Sequence, residues 1–202
     1  MRKTLTLALT GASGMAYALR LLQCLLESNA RVYLLYSQAA QIVAKQELEL
    51  TLPSRPQEAQ QMLCERYNVT PEQLRVFGRD EWFAPVASGT NPADAMVVCP
   101  CSMGTLGSIA AGLSDNLIER AADVMLKESR KLVIVPREAP FSVIHLENML
   151  KLARAGAVIL PANPGFYHRP QSVDDVVDFV VARILDHLGI EHQLMARWGE
   201  SK

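Results

Sequence analysis

The sequence predicts an α/β fold with three layers, a parallel sheet between helices, in a single domain. Three observations carry that prediction. Short apolar runs that suit buried strands recur at Lys3 to Thr10, Val32 to Tyr36, Met96 to Cys99, Leu132 to Val135 and Ala157 to Leu160. Most are followed by stretches of helical apolar spacing, the connection that parallel strands require. Several strands also stop abruptly in small or polar residues, as chains do where open α/β sheets bind ligands at strand carboxyl ends.

The first unit sets the pattern. Lys3 to Thr10 alternates apolar and polar residues, then stops at Gly11-Ala12-Ser13-Gly14. From Met15 to Leu26, Ala18, Leu19, Leu22, Leu25 and Leu26 recur at helical spacing. A glycine turn between strand and helix allows close backbone approach, and free N–H groups at the helix start favour an anion. The next strand, Val32 to Tyr36, ends at Ser37 and the uncharged Gln38-Ala39-Ala40. A dinucleotide site of the NAD type places a carboxylate there, and its full glycine fingerprint is also missing. A small hydroxyl suits a flavin mononucleotide better.

Ser37 to Glu47 reads as a helix, with Glu47 and Glu49 near its end. Gln57 to Tyr67 reads as another, and Thr70-Pro71-Glu72 as the capped start of a third. Val76-Phe77 reads as a short strand, and Asp80 to Asn91 as irregular with a small polar loop at Ser88-Gly89-Thr90. The central stretch, Met96 to Phe141, combines a buried strand, a small-residue loop over Cys101 to Ser108, a helix carrying Arg120 and Lys127, and a second strand that breaks into Pro136-Arg137-Glu138. Phe141 to Ala153 follows as a helix with Ile144, Leu146, Met149, Leu150 and Leu152 as its apolar positions. The last strand runs into a loop, Pro161 to Pro170, whose three prolines and glycine stiffen the chain around Phe166 and Tyr167. Ser172 caps a final helix with Val173, Val176, Val177, Val180 and Ile184 as its stripe and Arg183 at the margin. Residues 190–202 leave the helical pattern yet keep Leu194, Met195 and Trp198, which suggests docking onto a neighbouring subunit.

Composition narrows the class. A chain of 202 residues suits one well-buried domain. A formal net charge of −1 without long runs of one sign argues against nucleic-acid or membrane-surface binding. The four cysteines, Cys24, Cys64, Cys99 and Cys101, are too scattered for a disulfide framework, and Cys99-Pro-Cys101 lacks a second ligand pair for zinc. Met1-Arg2-Lys3 leads into a strand and not a long apolar core, so a cytoplasmic protein is expected. No apolar run approaches the ~20 residues of a membrane span.

Chemistry-bearing residues concentrate at strand ends. Arg137-Glu138 follows a buried strand directly. Arginine binds phosphate through two N–H groups, and a neighbouring glutamate can exchange a proton if burial or an anion raises its pKa. Arg120 and Lys127 are seven residues apart, on nearly one helix face, either as a pair of cations for phosphate or as a solvated face neutralised by Glu119 and Asp123.

Gly11-Ala12-Ser13-Gly14, Cys101-Ser102-Met103-Gly104-Thr105-Leu106, Asn116 to Glu128, Pro136-Arg137-Glu138-Ala139-Pro140 and Pro164-Gly165-Phe166-Tyr167 together resemble the flavin prenyltransferases of the UbiX type, nearly end to end and in order. The resemblance implies a flavodoxin- or Rossmann-like flavin-binding domain over residues 1–189, with the tail 190–202 beyond it, assembled as a dodecamer. It implies transfer of a dimethylallyl group from dimethylallyl monophosphate to N5 and C6 of reduced FMN without a metal. The product would serve a UbiD-type decarboxylase, in ubiquinone biosynthesis or related pathways. Residue by residue, Gly11, Ala12, Ser13, Ser37, Cys101, Ser102, Met103, Gly104 and Arg137 would hold FMN. Arg120, Lys127, Tyr167 and Arg183 would hold the prenyl phosphate, some of them from a neighbouring subunit, with Trp198 as an aromatic cover. Glu138 would be the acid and base, supported by Ser13, Glu47 and Lys127.

Two other activities are compatible with a flavin-binding fold. A cysteinyl flavoprotein decarboxylase would need a histidine after the first helix and an Asn-Met loop, whereas the loop reads Asn163-Pro164 and no histidine precedes His145. Direct decarboxylation of an aromatic acid by this chain lacks an independent acid/base histidine. A non-catalytic flavin carrier would not need Glu138, Lys127 and Arg183, which are all present.

Overall fold

The structure, a computed structural model, describes residues 2–196 and residue 199. Among these residues six strands form one sheet: β1 (Thr4–Leu9), β2 (Arg31–Tyr36), β3 (Leu74–Val76), β4 (Ala95–Cys101), β5 (Lys131–Pro136) and β6 (Val158–Ile159). They lie in the order β3-β2-β1-β4-β5-β6, all parallel. The chain winds outward from β1, returns to β4 beside it, and winds out the other way. The carboxyl edge between β1 and β4 is therefore the switch point where such sheets take ligands.

The strands are apolar on both faces because both faces are covered. Leu5, Leu7, Leu9, Val97, Cys99, Val133 and Val135 point into one core with helices α1 (Met15–Glu27), α2 (Gln38–Leu48), α3 (Pro56–Tyr67) and α7 (Val173–Leu188). The intervening Ala8, Met96, Val98, Leu132 and Ile134 point into a second core with α4 (Met103–Ala111), α5 (Leu117–Lys127) and α6 (Val143–Arg154). This is the three-layer αβα architecture that the alternation of strands and helices predicts.

Three expectations are corrected. Cys101 to Ser108 is not a loop: after the β4 terminus, Ser102 accepts from the Thr105 N–H (3.3 Å) and starts α4. Gly104 and Gly107 lower helix propensity, but the cap and the burial of Leu106, Ile109 and Ala110 prevail. Thr70-Pro71-Glu72 does not open a helix. The Thr70 carbonyl accepts from the Gln73 (2.9 Å) and Leu74 (3.1 Å) N–H groups, closing one turn that delivers the chain straight into β3. Thr-Pro serves turns and helix starts equally well. Finally, Ile144, Leu146 and Leu150 of α6 and Val173 of α7 are exposed, while Met149 and Leu152 carry the inward face of α6.

Helix α7 closes the domain. Its Asp178 takes the Arg20 guanidinium of α1 at 2.7 Å. Its last carbonyls are met by lysines from the sheet's amino edge: Lys3 Nζ donates to Leu188 O (2.8 Å) and Gly189 O (2.7 Å), and Lys131 Nζ to His187 O (2.5 Å). Cations at this end complement the helix dipole. Beyond it, Ile190 and Leu194 pack against the first core. Trp198 lies outside the described residues.

Gly11 ties the sheet to α2. A Cβ built there would stand 2.5 Å from the Ala39 Cβ, so β1 and the first turn of α2 approach more closely than any side chain at position 11 allows. Gly11→Ala is expected to lower stability by about 1–3 kcal/mol through overpacking. Ala39→Gly in the same chain should restore much of that loss. The denaturation midpoint, at unchanged denaturant slope, measures both.

Candidate functional site

The switch point is pinned by a residue that sequence reasoning missed. Thr10 is 1% exposed and directly follows β1. Its hydroxyl donates to the Pro100 carbonyl (2.8 Å) and accepts the Ser102 N–H (2.7 Å), and its own N–H donates to the same carbonyl (3.2 Å). β4 shifts register between Val98 and Cys101, so Pro100 falls where the ladder is already irregular. The available signal was a threonine where the alternating strand stops, directly before the glycine turn.

Around this pin the predicted flavin-binding residues gather, though not all by side chain. Ala12 and Cys101 are buried. Burial pushes the Cys101 thiol up to about 12, and it belongs to the second core, so only the backbone of Cys101 remains for a ligand. Ser37 caps α2 by accepting from the Ala40 N–H (3.1 Å), which leaves its O–H to donate elsewhere. Ser102, Met103 and Gly104 form the start of α4. A Cβ added to Gly104 would meet nothing within 4 Å, so the first turn of α4 faces open space. Between the α2 and α4 starts lies a cavity of about 110 Å³ lined by Ser37, Gln38, Gly78, Arg79, Thr105 and Asn116, among others. Hydroxyl, amide and guanidinium donors around open backbone fit a phosphorylated, carbonyl-bearing ligand such as FMN. Arg79 and Thr105 were not foreseen.

Of the two carboxylates at the end of α2, Glu47 is the one that reaches the glycine turn. Its oxygens accept the Gly14 N–H (3.1 Å each) and the Met15 N–H (2.8 Å), while Glu49 is the left-handed residue that ends α2 (φ 55°). The first N–H groups of α1 are therefore not free for an external anion, as the glycine turn had suggested; a protein carboxylate holds them. Partial burial pushes the Glu47 carboxyl up, but the Ser13 hydroxyl, the Met15 and Gly14 N–H groups and the Arg137 charge outweigh it, and its pKa falls below the usual range. Arg137 in turn donates from Nε to the Ser13 carbonyl (3.1 Å), and its N–H to the Cys101 carbonyl (3.3 Å). Ser13, Glu47 and Arg137 thus form one knot across the ends of β1, α2 and β5. Glu138, the next residue, is exposed, its carboxylate accepting the Ala139 N–H (3.1 Å).

The predicted phosphate ligands fall into two further groups. Arg120 donates to the Ala87 carbonyl (3.0 Å) and to Asp123 (2.6 Å); Glu119 instead is buried and accepts the Asp115 N–H (2.8 Å). Lys127 pairs with Glu128, and both lie against Gly89, where a Cβ would collide with the Glu128 carboxylate. The Ser88-Gly89-Thr90 loop thus belongs beside the cations of α5. Tyr167 and Arg183 share a different cavity, of about 1050 Å³, with Phe179, Asp186, His192 and Met195. Phe179 explains the stiff loop: it stacks on His168 (5.4 Å, 14°) and abuts Gly165, where a Cβ would come within 2.9 Å of its ring. Tyr167 is 85% exposed and projects from this clamp. Among the described residues no three His, Cys, Asp or Glu are grouped to hold a metal ion.

Comparison with known proteins follows the same lines. The Flavoprotein family model matches residues 1–185. The flavin prenyltransferase UbiX of Pseudomonas aeruginosa is 60% identical over 196 residues, covering 97% of this chain and 94% of that one. Among solved structures, AnUbiX (PadA1) in complex with FMN and dimethylallyl pyrophosphate superposes with a TM-score of 0.88 at 38% identity, covering 100% of both chains. A dodecameric FMN-dependent UbiX-like decarboxylase from Escherichia coli O157:H7 gives 0.85 at 40% identity, covering 98% of this chain and 100% of that one. With a family model over most of its length and full-length relatives well above 30% identity, this chain belongs to the Flavoprotein family and, within it, to the UbiX flavin prenyltransferases.

Proposed function

We propose that this protein joins a dimethylallyl group to N5 and C6 of reduced FMN, with dimethylallyl monophosphate as donor, and passes the product to a UbiD-type decarboxylase. The observation that carries the reading is the Ser13–Glu47–Arg137 knot at the switch point with Glu138 beside it, in a chain whose full-length structural neighbour binds FMN and dimethylallyl pyrophosphate. Reduced FMN is a substrate here and supplies the nucleophilic N5 and C6. The two protons lost there balance one taken by the departing phosphate and one taken at C2′ of the prenyl group.

Each residue has a distinct task in this reading. Arg137 and the Ser102–Gly104 turn hold the flavin at the sheet edge, and the ionised Glu47 orients Ser13 toward it. Glu138 gives a proton to the leaving phosphate and later accepts one from C6. Arg120 and Lys127 stabilise the charge that builds on the phosphate as the C–O bond breaks, the largest single contribution such a site can make, while Tyr167 and Arg183 hold the phosphate in the bound donor. Trp198 supplies an aromatic face for the allylic cation.

Oligomerisation belongs to the same proposal. Phe166, Tyr167 and Val173 protrude from one end of the domain and Ile144, Leu146 and Leu150 from α6, more apolar surface than a lone subunit keeps. A dodecamer, as in the UbiX-like neighbour, would cover them and bring the cavity of Tyr167 and Arg183 to another subunit's flavin, while Ile190 and Leu194 stay packed on their own subunit's core. No helix among the described residues is long and apolar enough to cross a membrane.

The test is anaerobic. Protein, reduced FMN and dimethylallyl phosphate are mixed and the bound flavin is weighed by mass spectrometry; gain of one five-carbon prenyl unit is expected. Unchanged FMN, or carbon dioxide released from an added aromatic acid, would replace this reading with the decarboxylase that the bacterial neighbour's name describes. Glu138→Gln should retain FMN and slow turnover by about 100-fold or more, as loss of general acid–base catalysis does. Glu47→Gln tests the knot by pH. A carboxylate whose pKa is lowered on folding stabilises the folded state above its unfolded pKa and stops doing so as pH falls through the folded value. The variant should thus melt below the wild type at neutral pH, and the gap should close as the pH drops past ~4.

A further inference from the structure

The last turn of α7 contains a carboxylate that the reaction does not explain. Asp186 lies two residues before Leu188, the last residue of the helix, where a negative charge opposes the dipole. Both its oxygens are engaged. Oδ2 accepts from Arg183 Nη1 at 2.7 Å, one turn earlier on the helix. Oδ1 faces His192 Nε2 at 3.2 Å.

His192 is held as closely. Its side chain is 8% exposed, and its Nδ1 accepts the Leu194 N–H at 3.4 Å. A ring nitrogen that accepts a backbone N–H carries no proton, so the proton of the neutral ring sits on Nε2 and points at Asp186. Gly189, in the left-handed region (φ 61°), turns the chain back so that Ile190 N–H reaches the Leu185 carbonyl (3.0 Å) and Ile190 and Leu194 pack on the core. The segment after α7 is thereby pinned over the helix, and its pin is the carboxylate that also holds Arg183. All three side chains line the cavity that contains Tyr167.

We infer that Asp186 and His192 are positioning residues for Arg183: the carboxylate holds the guanidinium ready for the prenyl phosphate, and His192 fixes the carboxylate. The inference rests on the reading of Arg183 as a phosphate ligand. Guanidinium carries five N–H donors in a planar fork, and one Asp186 oxygen engages one nitrogen, so the remaining edge can still take a phosphate. Holding the long side chain in one rotamer removes an ordering cost that binding would otherwise bear. The pair acts on capture of the phosphate and not on the proton transfers at the flavin. The same link couples docking of residues 190–196 to that capture.

Steady-state kinetics of the full-length protein with dimethylallyl phosphate and reduced FMN test this. Asp186→Ala and His192→Ala should raise KM for the prenyl phosphate by roughly 5- to 20-fold, leave kcat at saturation within about twofold, and leave FMN affinity unchanged, the split that marks lost ground-state binding. His192→Gln, whose amide can donate to Asp186, should recover most of the KM. In an Arg183→Ala background, Asp186→Ala should add nothing, because coupled residues are not additive. If Arg183→Ala leaves KM unmoved, the phosphate reading of Arg183 fails. If Arg183→Ala raises KM but the Asp186 and His192 variants do not, the positioning role alone fails. A fall in kcat and FMN affinity that tracks melting temperature in His192→Ala and persists in His192→Gln would likewise overturn it in favour of tail packing.

Discussion

The candidate site depends on a single carboxylate placed where this class of sheet ordinarily receives a ligand's phosphate. Glu47 reaches from the end of α2 to the amino terminus of α1 and takes the first N–H groups of that helix. A helix start offers partial positive charge and unpaired donors, so an anion is favoured there. Because the protein supplies that anion, the turn Gly11–Gly14 is fixed before any ligand arrives. Arg137, drawn to the same turn through the Ser13 carbonyl, locks β5 into the arrangement. On the proposed reading the flavin meets this prebuilt edge and is held by the α4 start, the α2 cap and Arg137.

Charge compensation follows one rule through the rest of the site. Arg120 leans on Asp123, Lys127 on Glu128 and Arg183 on Asp186, each carboxylate one or three residues further along its own helix end or turn. Such partly exposed pairs add little stability, since solvent screens them and ordering long side chains offsets the attraction. What they provide is placement. On the proposed reading these cations would gather near one phosphate only in the assembled protein, and a local carboxylate apiece would offset their mutual repulsion when it is absent.

How much of this could be read from the sequence divides by the range of the interaction. Strand and helix identities come from local periodicity, and β1, β2, β4, β5, α1 and α7 lie within a residue or two of their predicted limits. The α4 start was misread because two glycines spell a loop locally, while what makes the helix is its burial under the sheet. Ile144 and Leu150 show the converse: helical spacing identifies an apolar face without saying whether this subunit or another covers it. Site residues carried by motif were legible one at a time. Their connections, Glu47 to the α1 start, Thr10 to Ser102 and Asp186 to His192, join residues through the fold and leave no trace in spacing.

The geometry of a lone subunit also bears on why such a protein would assemble. The flavin edge is built from β1, β2, β4 and β5, whereas Tyr167 and Arg183 face a separate cavity between the loop after β6 and the chain beyond α7. Allylic ionisation needs both in one water-poor pocket, because charge stabilisation weakens steeply in water. An open cavity of about 1050 Å³ is far from that condition. A second copy seated against Tyr167 would exclude solvent, bury the apolar rim of the loop and set Arg183 against a flavin it cannot hold itself. On the proposed reading the exposed aromatic loop and the pinned chain after α7 would be parts of one device, by which each subunit would finish a site begun by its neighbour.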